Sequence, residues 1–486
     1  MIRGEGPALE VYWVLRGETV PYMPGFYAFP GGKVDAQDLE LELAGAESDF
    51  ERAARACAIR EAFEETGVLI GLEDGEPSPG TRSNGERSYR EIDRTELLAG
   101  RVTFPVLAKR HGWRFRADAL TPAGRWTTPP FASARFDTCF YLARVPQGME
   151  PNVRPGELER GEWIKPLEGL ERFRHGDAVF AAPILWTLIA LAEGEEGLAS
   201  RLVELPERSR RPVRRIELSW GMVLHPMPTR PLPPSTHTNA YLIGEKDMVL
   251  LDPGSGEPAA LEELFTLIDH LSFEGRKVKM IVLTHHHPDH VGGLEATRTR
   301  YRLPVAAHGE CAKHVRIDVA LGDGETIPLA PGIRPWNLRV IHTPGHTKDH
   351  LCLFHESSGS LFCGDHVAGV GTVVIDPPDG DMREYIHSLE RLIAIGPRIL
   401  FPAHGSPSGG ADRRLRGLVH HRLEREWKVA QALTETPVTL TYLVPIVYAD
   451  TPKELWKWAE RSLLAHLIKL EGDGRARRDG ERWRSA

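Results

Sequence analysis

Short apolar runs of strand length fill the second half of the chain, each ending in small residues and then a polar side chain able to bind a metal. Lys277 to Leu283 reads as a buried strand and runs into Thr284-His285-His286-His287-Pro288-Asp289-His290-Val291-Gly292-Gly293. Leu338 to Ile341 leads to Thr343-Pro344-Gly345-His346, Leu361-Phe362-Cys363-Gly364 leads to Asp365, and Ile399 to Ala403 leads to His404. The run Asn239 to Ile243 and the apolar stretch before Leu250-Leu251-Asp252-Pro253-Gly254 predict two more strands. Beyond Gly405 to Gly410 the spacing turns helical, near 413–434 and 452–471. In the first half, an aromatic strand-like run precedes Gly31-Gly32-Lys33-Val34-Asp35, and an Ala-rich helical stretch carries Arg60-Glu61-Ala62-Phe63-Glu64-Glu65-Thr66-Gly67-Val68.

The longest apolar run, Ala178 to Ala192, is 15 residues long and contains Pro183 and Thr187. A membrane span needs about 20, so a core helix is expected there and no membrane association. The segment Arg201 to Arg215 holds six arginines against two glutamates, and Pro206 and Pro212 are expected to stop any helix, which makes it the predicted linker. With a second boundary after His404, the expected domains are 1–212, 213–410 and 411–486. No internal repeat is visible.

Composition adds modest limits. The 486 residues suit two to four domains, and a net charge of −8 argues against a wholly basic nucleic-acid coat. Five cysteines in odd number, without C-x-x-C spacing, fit free thiols in a reducing compartment. The start of the chain has neither a basic stretch nor an apolar one, so a cytoplasmic protein is expected.

On a helix, Glu61, Glu64 and Glu65 share one face, a cluster that repels itself unless cations bind it. Hard carboxylate oxygens select Mg²⁺ or Mn²⁺; a bare cluster of this kind is otherwise a solvated acidic face. The run matches the R-E-U-x-E-E-x-G-U part of the Nudix box, so residues 25 to about 200 resemble a Nudix hydrolase domain. The resemblance implies a Nudix α/β/α sandwich, Arg60 orienting Glu61 as base, Glu64 and Glu65 as metal ligands, and a nucleotide or CoA diphosphate substrate. The family's Arg falls 14 positions after the box-opening Gly, whereas Gly32 to Arg60 is 28. This leaves the family's upstream Glu without a counterpart in register. A split-box subgroup similar to peroxisomal CoA diphosphatases opens with the same Phe29-Pro30-Gly31-Gly32 and has a strand like Arg135 to Ala143. The family's first strand has almost no sequence to occupy before Leu9, so either the start codon is called too late or a raw sheet edge is expected.

Four ligand-type residues between His285 and His290, with three more at strand ends, point to a metal centre assembled on one rim of an αββα sandwich. Alternation along the strand end is expected to aim His285 and His287 together, and a turn into a helix at Gly292 to bring Asp289 and His290 to face them. The set resembles the metallo-β-lactamase superfamily over 216 to about 410. The resemblance implies that His285, His287 and His346 hold one metal, that Asp289, His290 and His404 hold the other, and that Asp365 bridges. Asp252 is implied to steady a ligand, and Asp289 also to handle a proton of the attacking water. Imidazole and carboxylate suit two Zn²⁺ ions, with Fe or Mn as alternatives, and such ions lower the pKa of water from 15.7 towards about 7.

Aspartate at 365, where common two-zinc lactamases carry cysteine, makes the set similar to glyoxalase II and the RNase Z group and argues against β-lactams. Only 38 residues separate Asp365 from His404, too few for the inserted domain of the β-CASP branch. Residues 411–486 carry a net +4 against −12 for the rest, a bias that attracts phosphates. Tyr442 to Tyr448, Ala459 to Glu471 and the Gly-Arg-Ala-Arg-Arg end resemble the winged-helix extension of the β-lactamase-like mitochondrial endoribonuclease. His237 to Leu242 resembles that group's opening strand. A fused pair of metal-dependent hydrolases is therefore expected, the second cleaving single-stranded RNA. A thioesterase similar to glyoxalase II and a ligand-sensing, nucleic-acid or nucleotide-binding scaffold are the alternatives. The tail could equally be a helical cap, and homodimerisation through it stays open.

Overall fold

The computed structural model describes residues 1–73, 89–129, 132, 134–211 and 213–486. Contacts divide the chain into two units, one made of most of Met1–Arg214 and the other chiefly of Arg215–Ala486. The boundary expected at residue 212, with Pro212, lies outside the described residues.

In the first unit the strand Glu10–Arg16, buried from Val11 to Leu15, pairs antiparallel with Leu158–Ile164 on one side and with Ile2–Arg3 and Tyr27–Ala28 on the other. The raw edge expected at the chain start is therefore closed by two residues. Ile2 donates its N–H to the Ala143 carbonyl, and its own carbonyl accepts from Val145. Asp137–Leu142 pairs with Thr121–Thr127 as a separate ribbon. The acidic motif lies on the helix Asp49–Thr66, capped by the Ser48 hydroxyl on the Glu51 N–H and stopped by Gly67 in the left-handed conformation (φ 74°). Its apolar face, Ala56, Ile59, Ala62 and Phe63, packs into a core with Phe104, Trp113 and Phe115.

Ala182–Ala192 is a helix as expected, with Pro183 in its first turn. The predicted linker is not one at its start. Leu198–Arg208 is a helix, and Pro206 sits in its last turn. Leu198, Leu202 and Leu205 are buried on one face, and this packing outweighs the hydrogen bond the proline removes. The helix lies on the strand Thr121–Thr127, where Gly124 leaves room for the Leu202 carbonyl.

The second unit stacks two sheets. One orders Val319–Leu321, Val305–His308, Lys277–Val282, Asp247–Leu251, His237–Gly244, Met222–Pro228 and Ile216–Ser219. The other orders Thr326–Leu329, Trp336–His342, Leu351–His355, Ser360–Gly364 and Ile399–Pro402. Tyr241 of the first sheet meets Phe362 and Phe401 of the second, edge to face at 5.2 and 5.8 Å. The amphipathic helices Pro258–Phe273 and Met382–Ile395 bury Leu264, Leu267, Leu271 and Tyr385, Leu389, Leu392. The C-terminal segment sets Leu440–Val447, Trp456–Gly472 and a small sheet of Val438–Thr439, Arg482–Ser485 and Ala476–Asp479 around Trp483. Ala411 and Leu415, at the start of the helix Ala411–Ala432, belong to the core around Tyr385, and Val429 belongs to the core around Trp483. Among the described residues no helix is long and apolar enough to cross a membrane.

Candidate metal centres

The strand expected to carry the histidines stops at Val282, and the helix begins at Pro288, not at Gly292. His285 and His287 thus lie in a loop, and strand alternation does not aim them. Asp252 braces that loop at Thr284 and at His290. It follows the strand Asp247–Leu251 with a positive φ of 50°, unusual for a residue with a side chain. Its carboxylate accepts from the Thr284 N–H (2.8 Å) and hydroxyl (2.7 Å) and from His290 Nδ1–H (2.8 Å). Nearby, Gly254 abuts the Asp289 carbonyl so closely that no side chain fits there.

His285 Nε2 lies 3.0 Å and His346 Nε2 3.1 Å from His287 Nδ1, so three imidazole nitrogens converge. Beside them, His404 Nε2 lies 3.3 Å from Asp289 Oδ2 and 3.1 Å from Asp365 Oδ1, while His290 Nε2 lies 3.4 Å from Asp365 Oδ1. The other Asp365 oxygen faces His346 Nε2 at 3.6 Å. The two carboxylate oxygens therefore face different histidine groups. All seven ligand-type residues singled out from the sequence meet here, with Asp252 behind His290.

Backbone carbonyls set the outer nitrogens. His346 Nδ1–H donates to the Val374 carbonyl and His404 Nδ1–H to that of His237, both at 2.9 Å, which leaves each Nε2 facing the centre. Burial, reinforced by the neighbouring imidazoles, pushes His285 far below its usual range and His287 to about 3. Burial also lowers His346. The trio is therefore neutral at pH 7, its lone pairs free for a cation. Against burial, Asp365 and Asp289 carry His404 up to about 10, and the carboxylates of Asp365, Asp252 and Asp289 raise His290. Among the described residues, buried His290 Nε2 and Asp365 Oδ1 make ion-pair contacts but no aligned hydrogen bond. Orphaned inward atoms on an imidazole–carboxylate set fit divalent metal of the zinc type.

Sequence reading overlooked three neighbours. Buried His350 accepts the Asp365 N–H on Nε2 (3.1 Å) and donates from Nδ1 to the Thr343 hydroxyl (2.8 Å). The Thr238 hydroxyl lies 3.4 Å from Asp289 Oδ2. His286, between two converging histidines, turns instead to Asp349 at 3.0 Å and stacks on His314 at 3.7 Å. Only the crowding of histidine around Thr343 to His350 hinted at the first of these.

In the first unit Arg60 reaches Glu61 Oε1 at 2.7 Å and Glu64 Oε2 at 3.3 Å. It also forms a buried two-pronged pair with Asp38, Nε to Oδ1 at 2.7 Å and Nη2 to Oδ2 at 3.0 Å. Although the family's upstream Glu has no counterpart in register with Arg60, Asp38 supplies an acid beside it in space. Asp38 falls six residues after Gly32, and the extra residues loop out between it and the helix, partly as the strand Leu43–Ala44. The Gly31 N–H donates to Glu65 at 2.9 Å, and the bare backbone at Gly32 admits the Glu61 carboxylate. Buried Arg94 donates to the carbonyls of Glu64 (2.9 Å) and Glu65 (2.6 Å), holding the end of the acidic helix. Burial lifts Glu61 to about 7, and burial with the neighbouring Glu61 charge lifts Glu65 to about 8. Carboxylates this poorly compensated fit a site completed by a hard cation.

Three family models match the chain. Residues 234–404 match the metallo-beta-lactamase superfamily, 439–483 the beta-lactamase associated winged helix domain, and 46–191 the NUDT19 Nudix domain. A beta-lactamase-like protein 2 homolog of Drosophila melanogaster is 33% identical over 257 residues, spanning 49% of this chain and 84% of that protein. An atrochrysone carboxyl ACP thioesterase of Aspergillus chevalieri is 28% identical over 247 residues, 49% of this chain and 76% of its own. The crystal structure of a Nudix hydrolase from Alicyclobacillus acidocaldarius is 31% identical, covers 42% of this chain and 93% of its own, and superposes with a TM-score of 0.35. The chain is a metal-dependent hydrolase that belongs to the metallo-β-lactamase superfamily, with a Nudix domain before the metallo-β-lactamase domain and a winged helix after it.

Proposed function

We propose that the second unit cleaves phosphodiesters of single-stranded RNA with two zinc ions, and that the first is a Mg²⁺-dependent hydrolase of a nucleotide or CoA diphosphate. The domains in this reading are 1–212, 213–410 and 411–486. His285, His287 and His346 would hold one zinc and Asp289, His290 and His404 the other, with Asp365, whose two oxygens face different histidine groups, available to both. Bound zinc supplies Lewis acidity at neutral pH. Asp289 accepts the proton of the attacking water, and Asp252 keeps His290 in the tautomer whose Nε2 faces inward. In the Nudix half, Arg60 holds Glu61 in place as base, and Glu64 and Glu65 take the cation.

The observation that carries the RNA reading is the face of the small C-terminal sheet. Arg477 stands directly opposite Arg484, while Arg482, on the same face, stands opposite Asp479. Like charges across a strand pair are destabilising, and among the described residues no carboxylate forms an ion pair with Arg477, Arg482 or Arg484. Phosphates relieve that repulsion and release counterions as they bind. Zinc-loaded protein incubated with single-stranded RNA tests this reading. Cleavage lost in Asp289→Ala is expected, and intact RNA at full zinc loading would overturn it.

A second reading, thioester hydrolysis, is favoured by the likeness to a thioesterase. It predicts thiol release from acyl-CoA by the same metal centre, with RNA left intact.

A further inference from the structure

The segment between Asp365 and the helix Met382–Ile395 passes over His346 without regular secondary structure from 372 to 376. Its peptide groups have no strand neighbour, so side chains satisfy them, most of them from the C-terminal region. The Val373 carbonyl accepts from Arg422 Nη2 at 2.6 Å. The Val374 carbonyl accepts from His346 Nδ1–H at 2.9 Å. The Ile375 N–H donates to Ser462 Oγ at 3.3 Å. Arg461 pairs with Asp376 and donates to the Pro377 carbonyl at 2.6 Å. The one carbonyl that sets the tautomer of His346 is therefore flanked on both sides by bonds to the helices Ala411–Ala432 and Trp456–Gly472. Arg422 and Ser462 are buried, as partners in a fixed hydrogen-bond frame should be.

Arg422 also touches the other side of the centre. Its guanidinium lies over the Tyr385 ring at 5.1 Å, and the Tyr385 hydroxyl donates to the carbonyl of His366, which follows Asp365. Two residues that line the centre, His346 and Asp365, are thus each linked to Arg422 by a short chain of contacts.

We propose that Arg422, Arg461 and Ser462 are positioning residues: they hold the Val373–Pro377 segment so that the Val374 carbonyl orients His346, and the C-terminal region thereby sets the affinity of the His285–His287–His346 zinc site. Removing an outer partner of a metal-ligating histidine weakens binding by about 10–100-fold. The inference rests on His346 being a ligand, as proposed above, and does not depend on the substrate.

The test is stepwise zinc binding to the full chain by chelator competition at fixed pH, with the melting temperature of the metal-free protein recorded in parallel. Ser462→Ala and Arg461→Ala are expected to weaken one of two zinc sites about 10-fold. Ser462→Thr, which keeps the acceptor oxygen, restores wild-type affinity, and Lys457→Ala, exposed on the same helix, leaves it unchanged. A role in packing alone would lower the melting temperature of the metal-free protein with no selective loss of one zinc, and that outcome overturns the proposal. Arg461 is half-buried, less so than Ser462, so its variant decides the matter if Ser462→Ala does not fold. His346→Ala is the control. If it loses one zinc while Arg461→Ala and Ser462→Ala bind like wild type, this proposal fails and the ligand assignment stands. If His346→Ala keeps both zincs, the ligand assignment fails first.

Discussion

Asp38 and Arg60, 22 residues apart, form a two-pronged ion pair almost without solvent contact, and Arg60 carries that anchorage to Glu61 and Glu64. Removing one partner leaves a buried charge uncompensated, which costs about 3–5 kcal/mol. Asp38→Ala is therefore expected to lower the stability of the first unit by that order and to abolish Mg²⁺-dependent diphosphate hydrolysis. Denaturant titration and a diphosphatase assay check this; unchanged stability would show that the pair carries no such load.

The acidic helix makes the first unit sensitive to pH. Glu61 and Glu65 sit at about 7 and about 8, above the ordinary carboxylate value because burial penalises their charged forms. A raised acid keeps its proton in the folded state, so its stabilising contribution is full below the unfolded value near 4.5 and is lost as pH rises through 7–8. Metal-free protein is expected to melt lower at pH 8.5 than at pH 6. Mg²⁺ should reverse the loss at the higher pH, and Mg²⁺ affinity itself should climb over the same range.

Asp252→Ala strips His290 of the carboxylate that fixes its tautomer and removes the acceptor for Thr284. Zinc affinity at the Asp289–His290–His404 site is expected to fall about 10–100-fold, with the histidine trio retaining its ion. Chelator competition separates the two, and an unchanged affinity at the Asp289–His290–His404 site would contradict this role for Asp252.

The arginine face is tested by salt. Replacing Arg477 and Arg484 with serine should raise KM for single-stranded RNA while leaving kcat nearly intact. The slope of log affinity against log salt should shrink by about 1.4, the figure for two single-strand phosphate contacts. An unchanged slope would remove this face from RNA binding.

What was legible in the sequence was local. His285 to His290 names its chemistry through residue type and spacing, and His346, Asp365 and His404 each follow an apolar strand closely. What stayed hidden depends on backbone groups or on distance along the chain. Asp38 is separated from Arg60 by an insertion that breaks the expected register, yet the pair re-forms in space. His350 acts on the backbone N–H of Asp365 and the Val374 carbonyl on a ring nitrogen of His346, and neither bond leaves a side-chain pattern to read. Pro206 misleads because three buried leucines hold its helix together more strongly than one missing N–H weakens it.

The most direct test of the central claim is an assay of fully zinc-loaded protein on single-stranded RNA beside acyl-CoA, comparing wild type with Asp289→Ala. RNA fragments from wild type, absent in the variant, with acyl-CoA intact, are the predicted result. Thiol release with undamaged RNA would contradict it and make the metallo-β-lactamase domain a thioesterase.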